Sequence, residues 1–187
     1  MRTFAYCLAS AAKSVRRMAG VEPALCPPIT QESFRGGWLE YRDLIVFKLH
    51  GRHGEPYWMG DRGEIALLAR NLEDVHLDGA VVFAENCWLP ESPMLEALLD
   101  AGASAVVGGS GVNYGGTATM AGADLLGLYF RWALEHGGRP EGALLFAKLR
   151  LRLKWPSLAV RDTLAFQLYE QDVVAVGAGH APPLQRR

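Results

Sequence analysis

Short apolar runs alternate with amphipathic segments along most of this chain, and this alternation limits its fold more than any other feature. The runs are apolar at consecutive positions, which is typical of strands that are buried on both faces. The clearest are TFAYCL (Thr3–Leu8), DLIVFKL (43–49), GAVVFAEN (79–86) and ASAVVGG (103–109). Strands that alternate with helices form a parallel sheet covered on both sides. We therefore predict an α/β fold with a mostly parallel central sheet of about six strands.

The amphipathic segments predict the helices, and two of them carry signals at their ends. SPMLEALLDAG (92–102) has Ser92 at the N-cap and Pro93 at the first helical position. DRGEIALLARNL (61–72) has Asp61 followed three residues later by Glu64, which is the pattern of a capping box. Both segments are therefore predicted to be helical.

The remaining elements follow from periodicity alone. Helices are predicted within 10–20, 117–138 and 139–154, and the second of these is expected to bury one stripe formed by Leu125, Leu128, Tyr129 and Trp132. TLAFQLY (163–169) alternates at period two, with Leu164, Phe166 and Leu168 on one face, so it predicts a closing strand. DVVAV (172–176) is its expected neighbour.

Composition and charge describe one globular domain over 1–187, with 177–187 as a loose tail. Nineteen Lys and Arg against 20 Asp and Glu give a net charge of −1, so no basic field exists and nucleic-acid binding is not expected. No apolar stretch reaches the ~20 residues that span a bilayer, and no membrane partner is expected. The run KLRLRLK (148–154) is interpreted as a solvated helix face.

Three cysteines, Cys7, Cys26 and Cys87, lack the spacing of a zinc site or of a disulfide framework. No metal and no cofactor are therefore expected. Free thiols suit a reducing compartment, which favours a cytoplasmic protein. The glycine-rich loop GGSGVNYGG (108–116) lacks the lysine and spacing of a phosphate-binding loop, so a nucleotide is not expected there.

Two of the apolar strands end in residues that carry chemistry, His50-Gly51 and Cys87. Ligands and reactions gather beyond the carboxyl ends of parallel strands, which is where both residues fall. An imidazole beside a thiol helps to form the thiolate nucleophile and can pass the proton to a leaving amine. The backbone N–H groups of Gly51 and Cys87 are candidate donors to an oxyanion. A cysteine at a strand end is also compatible with inert packing.

An apolar strand ending in His-Gly, followed by an apolar strand ending in Cys, resembles the caspase and gingipain superfamily of cysteine peptidases (clan CD). The likeness is greatest to CHAT and gingipain-type domains and covers most of the chain. After the Cys strand it runs through residues 94–148, with an Ala-Gly-Ala turn, a Val-Val-Gly strand, a loop and two helices, to the closing strand TLAFQLY. The resemblance implies a caspase-like three-layer sandwich and a peptidase with His50 as general base and acid and Cys87 as nucleophile. The chain departs from the caspase pattern by reading Glu85-Asn86-Cys87-Trp88.

The same resemblance suggests residues that bind the substrate. Glu85 lies two residues before Cys87, where metacaspase-like and clostripain-like relatives carry an aspartate that pairs with Arg or Lys of the substrate. Asn113 and Tyr114 lie in the glycine-rich loop, which walls the substrate cleft in this family. A second pair, His53-Gly54, competes with His50-Gly51, and His50 is preferred because it directly ends the strand.

Two further hypotheses remain open at this point. The first is a catalytically silent caspase-like module that keeps the fold to bind a regulatory protein partner. The second is a small-molecule hydrolase that uses the same dyad. The leading hypothesis is a cysteine endopeptidase that cleaves peptide or protein substrates, because a binding module needs neither His50 nor Cys87.

Overall fold

The computed structural model describes residues 1–158 and 165–170 of the chain. The strands are β1 (Thr3–Leu8), β2 (Ala24–Cys26), β3 (Leu44–Lys48), β4 (His50–Gly51), β5 (Tyr57–Met59), β6 (Ile65–Leu68), β7 (Val81–Ala84), β8 (Ala105–Gly109) and β9 (Phe166–Tyr169). The helices are α1 (Ala12–Ala19), α2 (Pro93–Asp100), α3 (Gly122–Glu135) and α4 (Pro140–Lys154).

The central sheet has six strands in the order β2-β1-β3-β7-β8-β9. All neighbouring pairs are parallel except β8 and β9, which are antiparallel. Every residue of β3, β7 and β8 is buried, as expected for strands covered on both faces. The predicted mostly parallel sheet is thus confirmed. Leu164, the predicted strand 172–176 and the tail 177–187 lie outside the described residues.

Helices cover the sheet and complete the layered α/β architecture that the sequence predicts. On one face α3 packs against both α1 and α4, while α2 packs beside β8. Gly127 of α3 permits the closest of these contacts, because a Cβ there would overlap the side chains of Met18 and Phe83. Phe83 in turn stacks on Phe166 with ring centroids 5.4 Å apart. Burying a phenylalanine side chain of this kind stabilises the fold by about 1.5–3 kcal/mol.

The predicted helix over 61–72 is wrong, and this segment instead belongs to a second sheet. The strands β4, β5 and β6 form a three-stranded antiparallel sheet, and only Ala69–Leu72 makes a short 3-10 turn. The carboxylate of Asp61 accepts hydrogen bonds from Ser10 instead of capping a helix. Gly63 adopts φ +85°, which makes the preceding stretch a turn between β5 and β6.

The stripe predicted for α3 is not the face that this helix buries most deeply. Its core-facing residues are Ala123, Leu126, Phe130 and Ala133, whereas Trp132 is 46% exposed. The segment is apolar around most of its circumference, so periodicity alone fits two different stripes. Close packing selects the face that carries the small residue Gly127 against α1 and β7.

The helix-end signals are confirmed where they were strongest. Ser92 accepts a hydrogen bond from the backbone N–H of Met94 at the start of α2. Gly20 ends α1 in the left-handed conformation with φ +73°. Among residues 1–158 and 165–170, no helix has the length and apolar character needed to cross a membrane.

Candidate active site

Pairing of β3 with β7 brings the two candidate catalytic residues to the same edge of the sheet. Phe47 lies opposite Ala84 at the carboxyl end of the pair. His50 follows Phe47 by three residues, and Cys87 follows Ala84 by three residues. The His50 side chain is exposed and the Cys87 side chain is half-buried, so both are within reach of solvent.

A cleft of about 190 Å³ opens between these strand ends. Its lining includes four of the residues that the sequence singled out: His50, Glu85, Cys87 and Asn113. Tyr114 is not part of the lining, and it is 50% exposed on the same loop. The lining also contains Lys48 and Asp61, which sequence reasoning did not assign to a site.

Gly51 lies directly against the backbone of Cys87. A Cβ built at this glycine would overlap the carbonyl oxygen of Cys87 and come within 3.2 Å of its nitrogen. The main chains of the two predicted oxyanion donors are therefore in close approach, which only a residue without a side chain permits. Gly51 also pairs with Trp58 in the small sheet, and this pairing fixes the position of the His50-Gly51 segment.

Asn86 connects the segment that carries His50 to the segment that carries Cys87, and its role was not recognised from the sequence. Its side chain is fully buried, and its Oδ1 accepts the backbone N–H of Leu49 at 3.0 Å. The bond thus joins the residue before His50 to the residue before Cys87. An uncharged amide next to a candidate nucleophile is the only signal in the sequence that could have suggested this role.

Asn113 connects the glycine-rich loop to the nucleophile segment. Its backbone N–H donates to Cys87 Sγ at 3.3 Å, and its Nδ2 donates to the carbonyl of Asn86 at 2.7 Å. A donor aimed at a sulfur stabilises the thiolate over the thiol. The loop therefore contributes to the environment of Cys87 as well as to the wall of the cleft.

The turn after Cys87 carries an unusual backbone conformation. Trp88 adopts φ +58°, in the left-handed region that residues with side chains rarely occupy. Strained residues of this kind cluster at functional sites. The indole of Trp88 faces the ring of His53, with centroids 5.9 Å apart, whereas His50 lines the cleft. The two His-Gly pairs thus have different surroundings.

A buried ionic cluster lies beneath the cleft. The ammonium of Lys48 is 3.1 Å from Glu85 Oε1 and 2.5 Å from Asp124 Oδ1, and all three side chains are at least nine-tenths buried. Burial alone lowers the pKa of Lys48, but the two carboxylates outweigh it and raise this pKa. Glu85 therefore lines the cleft as a member of an ion cluster rather than as a strand-end carboxylate in water.

The other two thiols differ from Cys87 in their surroundings. Cys7 and Cys26 are fully buried. Burial raises the pKa of the Cys7 thiol to about 12 and also raises the pKa of Cys26. Neither is therefore available as a thiolate at neutral pH. Among the described residues, no group of His, Cys, Asp and Glu side chains is arranged to bind a metal ion.

Comparison with known proteins finds similarity in structure but not in sequence. No protein-family model and no curated protein matches the chain. The Arg-specific cysteine proteinase gingipain R (RgpB) superposes with a TM-score of 0.58 and 14% identity, over 89% of this chain and 45% of that one. The complex of Porphyromonas gingivalis RgpB pro- and mature domains gives a TM-score of 0.54 and 14% identity, over 89% of this chain and 47% of that one.

The chain spans less than half the length of these gingipain chains. At 14% identity the comparison bears on the fold, and it agrees with the six-stranded sheet and its flanking helices. The chain therefore has a caspase- and gingipain-like α/β fold, of the kind found in cysteine peptidases.

Proposed function

We propose that this protein is a cysteine endopeptidase that hydrolyses peptide bonds with a dyad of His50 and Cys87. The observation that carries the proposal is the common cleft, in which an exposed imidazole and a half-buried thiol follow adjacent parallel strands. The inert-packing explanation for Cys87 predicts a thiol that is buried from solvent, as Cys7 and Cys26 are. Cys87 instead faces a cleft and receives a hydrogen bond.

In the proposed reaction His50 takes the proton of the Cys87 thiol, and the thiolate attacks the carbonyl carbon of the scissile bond. The Gly51 and Cys87 N–H groups stabilise the negative charge that develops on the carbonyl oxygen. His50 then delivers the proton to the departing amine, which leaves a thioester on Cys87. Water, deprotonated by His50, attacks this thioester, and the carboxylic acid product leaves as the thiol is restored.

Labelling with a peptide that carries a thiol-directed electrophile tests this function. We expect one adduct per chain, located at Cys87 by mass spectrometry, because Cys7 and Cys26 are buried thiols with raised pKa values. Cys87→Ala should abolish labelling, and His50→Ala should slow it. Labelling by the peptide electrophile should also exceed labelling by the same electrophile without its peptide.

The alternative of a silent module that binds a protein partner makes the opposite prediction. If the protein is such a module, the labelling rate should not depend on His50, and the peptide-linked reagent should react no faster than the reagent without its peptide. The RgpB complex with its pro-domain illustrates protein binding by a gingipain-type fold, and a regulatory partner is compatible with either function. A labelling rate that is equal for the wild type and for His50→Ala would therefore favour the silent module.

We further propose that the peptidase prefers a basic residue before the scissile bond. The cluster of Lys48, Glu85 and Asp124 contains one ammonium and two carboxylates, so its formal charge is −1. A cation from the substrate would balance this charge. A hydrogen bond to a charged group contributes about 1.5–3 kcal/mol. Because Lys48 already shares the Glu85 carboxylate, we expect the lower end of this range, about tenfold in kcat/KM.

Matched peptides with Arg, Lys or Gln at that position measure the preference. Glu85→Gln should remove about tenfold of the advantage of Arg and Lys over Gln. Its reaction with a small alkylating reagent at Cys87 serves as the control and should change less than cleavage after basic residues. A preference for Asp or for a small apolar residue, or a Glu85→Gln variant with unaltered selectivity, would contradict the proposal.

A further inference from the structure

The glycine-rich loop is held at several points, and two of them involve the cleft: Asn113 and Gly116. Asn113, in its middle, contacts Asn86 and Cys87 as described above. Gly116, at its end, is held by the buried ionic cluster. Between Asn113 and Gly116 the loop has no regular secondary structure, so these contacts contribute to its position.

The Gly116 peptide is bonded on both sides by buried side chains. Its carbonyl accepts from Lys48 Nζ at 2.7 Å and from Ser14 Oγ at 2.8 Å. Its N–H donates to Asp124 Oδ2 at 2.6 Å, and the same oxygen accepts the N–H of Ala121 at 2.8 Å. Asp124 therefore binds the loop with one carboxylate oxygen and Lys48 with the other.

The preceding residue, Gly115, lies directly on the cluster. A Cβ built at Gly115 would overlap Glu85 Oε1 and Lys48 Nζ. Both atoms end flexible side chains, but here they are held by the ion pairs around Lys48, so they cannot move aside freely. The loop is thus seated on the cluster as well as bonded to it.

We propose that Asp124 and Lys48 are positioning residues, which hold the glycine-rich loop so that the Asn113 N–H faces Cys87 Sγ. The effect on turnover rests on the proposed peptidase function, whereas the effect on the Cys87 thiol does not. Buried ion clusters add little net stability, because the cost of removing the charges from water offsets their attraction. Bonds from both charged residues to one loop peptide give this cluster a structural purpose beyond stability.

A pair of glycine substitutions in one loop provides the first test. Gly115→Ala places a methyl group against the cluster, whereas Gly111→Ala places it where no atom of the described structure lies within 4 Å. The readout is the rate at which iodoacetamide alkylates Cys87, measured against pH. Loss of one hydrogen bond to the sulfur should lower the alkylation rate at neutral pH by about two- to tenfold in Gly115→Ala. The profile of Gly111→Ala should coincide with that of the wild type.

Asp124→Asn tests the same inference from the other side of the loop. It keeps the shape of the side chain but removes the charge that binds Lys48 and two backbone N–H groups. We expect the same fall in the alkylation rate of Cys87, together with faster hydrogen exchange at the Gly116 amide. If this variant does not fold, Gly115→Ala with its control still decides the question, because it leaves all three charges in place.

The outcomes separate this inference from the proposed function. A shifted alkylation profile in Gly115→Ala supports the positioning role even if the wild type cleaves no peptide. Alkylation profiles that coincide for Gly115→Ala, Gly111→Ala and the wild type would overturn the role, even if the wild type is an active peptidase. A change in melting temperature without a change in the profile would likewise assign the cluster to stability alone.

Discussion

Replacing Cys87 with alanine is expected to lower kcat by about 10⁴-fold or more, because no other group in the cleft can form the thioester. Cys87 is half-buried, and its side chain is replaced by a smaller one at the edge of a cleft. The free energy of unfolding should therefore change by no more than about 1 kcal/mol. Peptide hydrolysis under saturating substrate, compared with a thermal melt of the same sample, checks both expectations.

Cys26→Ala is the matched control, because it removes a buried thiol that does not line the cleft. Its kcat should remain close to that of the wild type, while its stability falls because a cavity is left in the core. Equal losses of activity in Cys87→Ala and Cys26→Ala would show that activity was lost through unfolding. Activity retained by Cys87→Ala would contradict the dyad.

His50→Ala is expected to lower kcat by about 10²–10⁴-fold, which is the usual contribution of a general acid and base. Combining it with Cys87→Ala should add little to the loss in Cys87→Ala alone, because residues that act as one unit are not additive. The measurement is kcat for the two single variants and the double variant on one peptide. A double variant much slower than either single one would indicate that the two residues act independently.

His53→Ala provides the internal comparison, because it removes the second histidine of the same segment. His53 contacts Trp88 rather than the cleft lining, so its loss should change kcat by less than about threefold. If His53→Ala were inactive and His50→Ala active, the assignment of the general base would move to His53.

The positions of His50 and Cys87 at strand ends were predictable, because each strand is encoded by a single local sequence pattern. DLIVFKL and GAVVFAEN are continuous apolar runs, and their parallel pairing follows from the helices and strands around them. The helix predicted over 61–72 does not form, because its capping-box pattern is local, while the pairing of β6 with β5 is a tertiary contact. Tertiary contacts override local propensity in short segments.

The contacts that organise the site were not predictable in the same way. Lys48 is a charged residue at the end of an apolar run. This is unusual, but the sequence does not indicate which residues it contacts. Asp124, one of these partners, lies 76 residues further along the chain. Its bond to Lys48 forms only when α3 packs against the sheet. Asn86 is a similar case, because its acceptor role depends on Leu49 of the neighbouring strand. Both contacts are products of the fold.

The close approach of Gly51 to Cys87 gives the sequences of future relatives a diagnostic position. A Cβ at position 51 would overlap the backbone carbonyl of Cys87, so no choice of side-chain rotamer relieves the overlap. A relative that keeps the histidine and the cysteine but replaces this glycine must have moved the nucleophile peptide. Under the proposed mechanism such a chain would lose this placement of the two N–H groups, although its histidine and cysteine were intact.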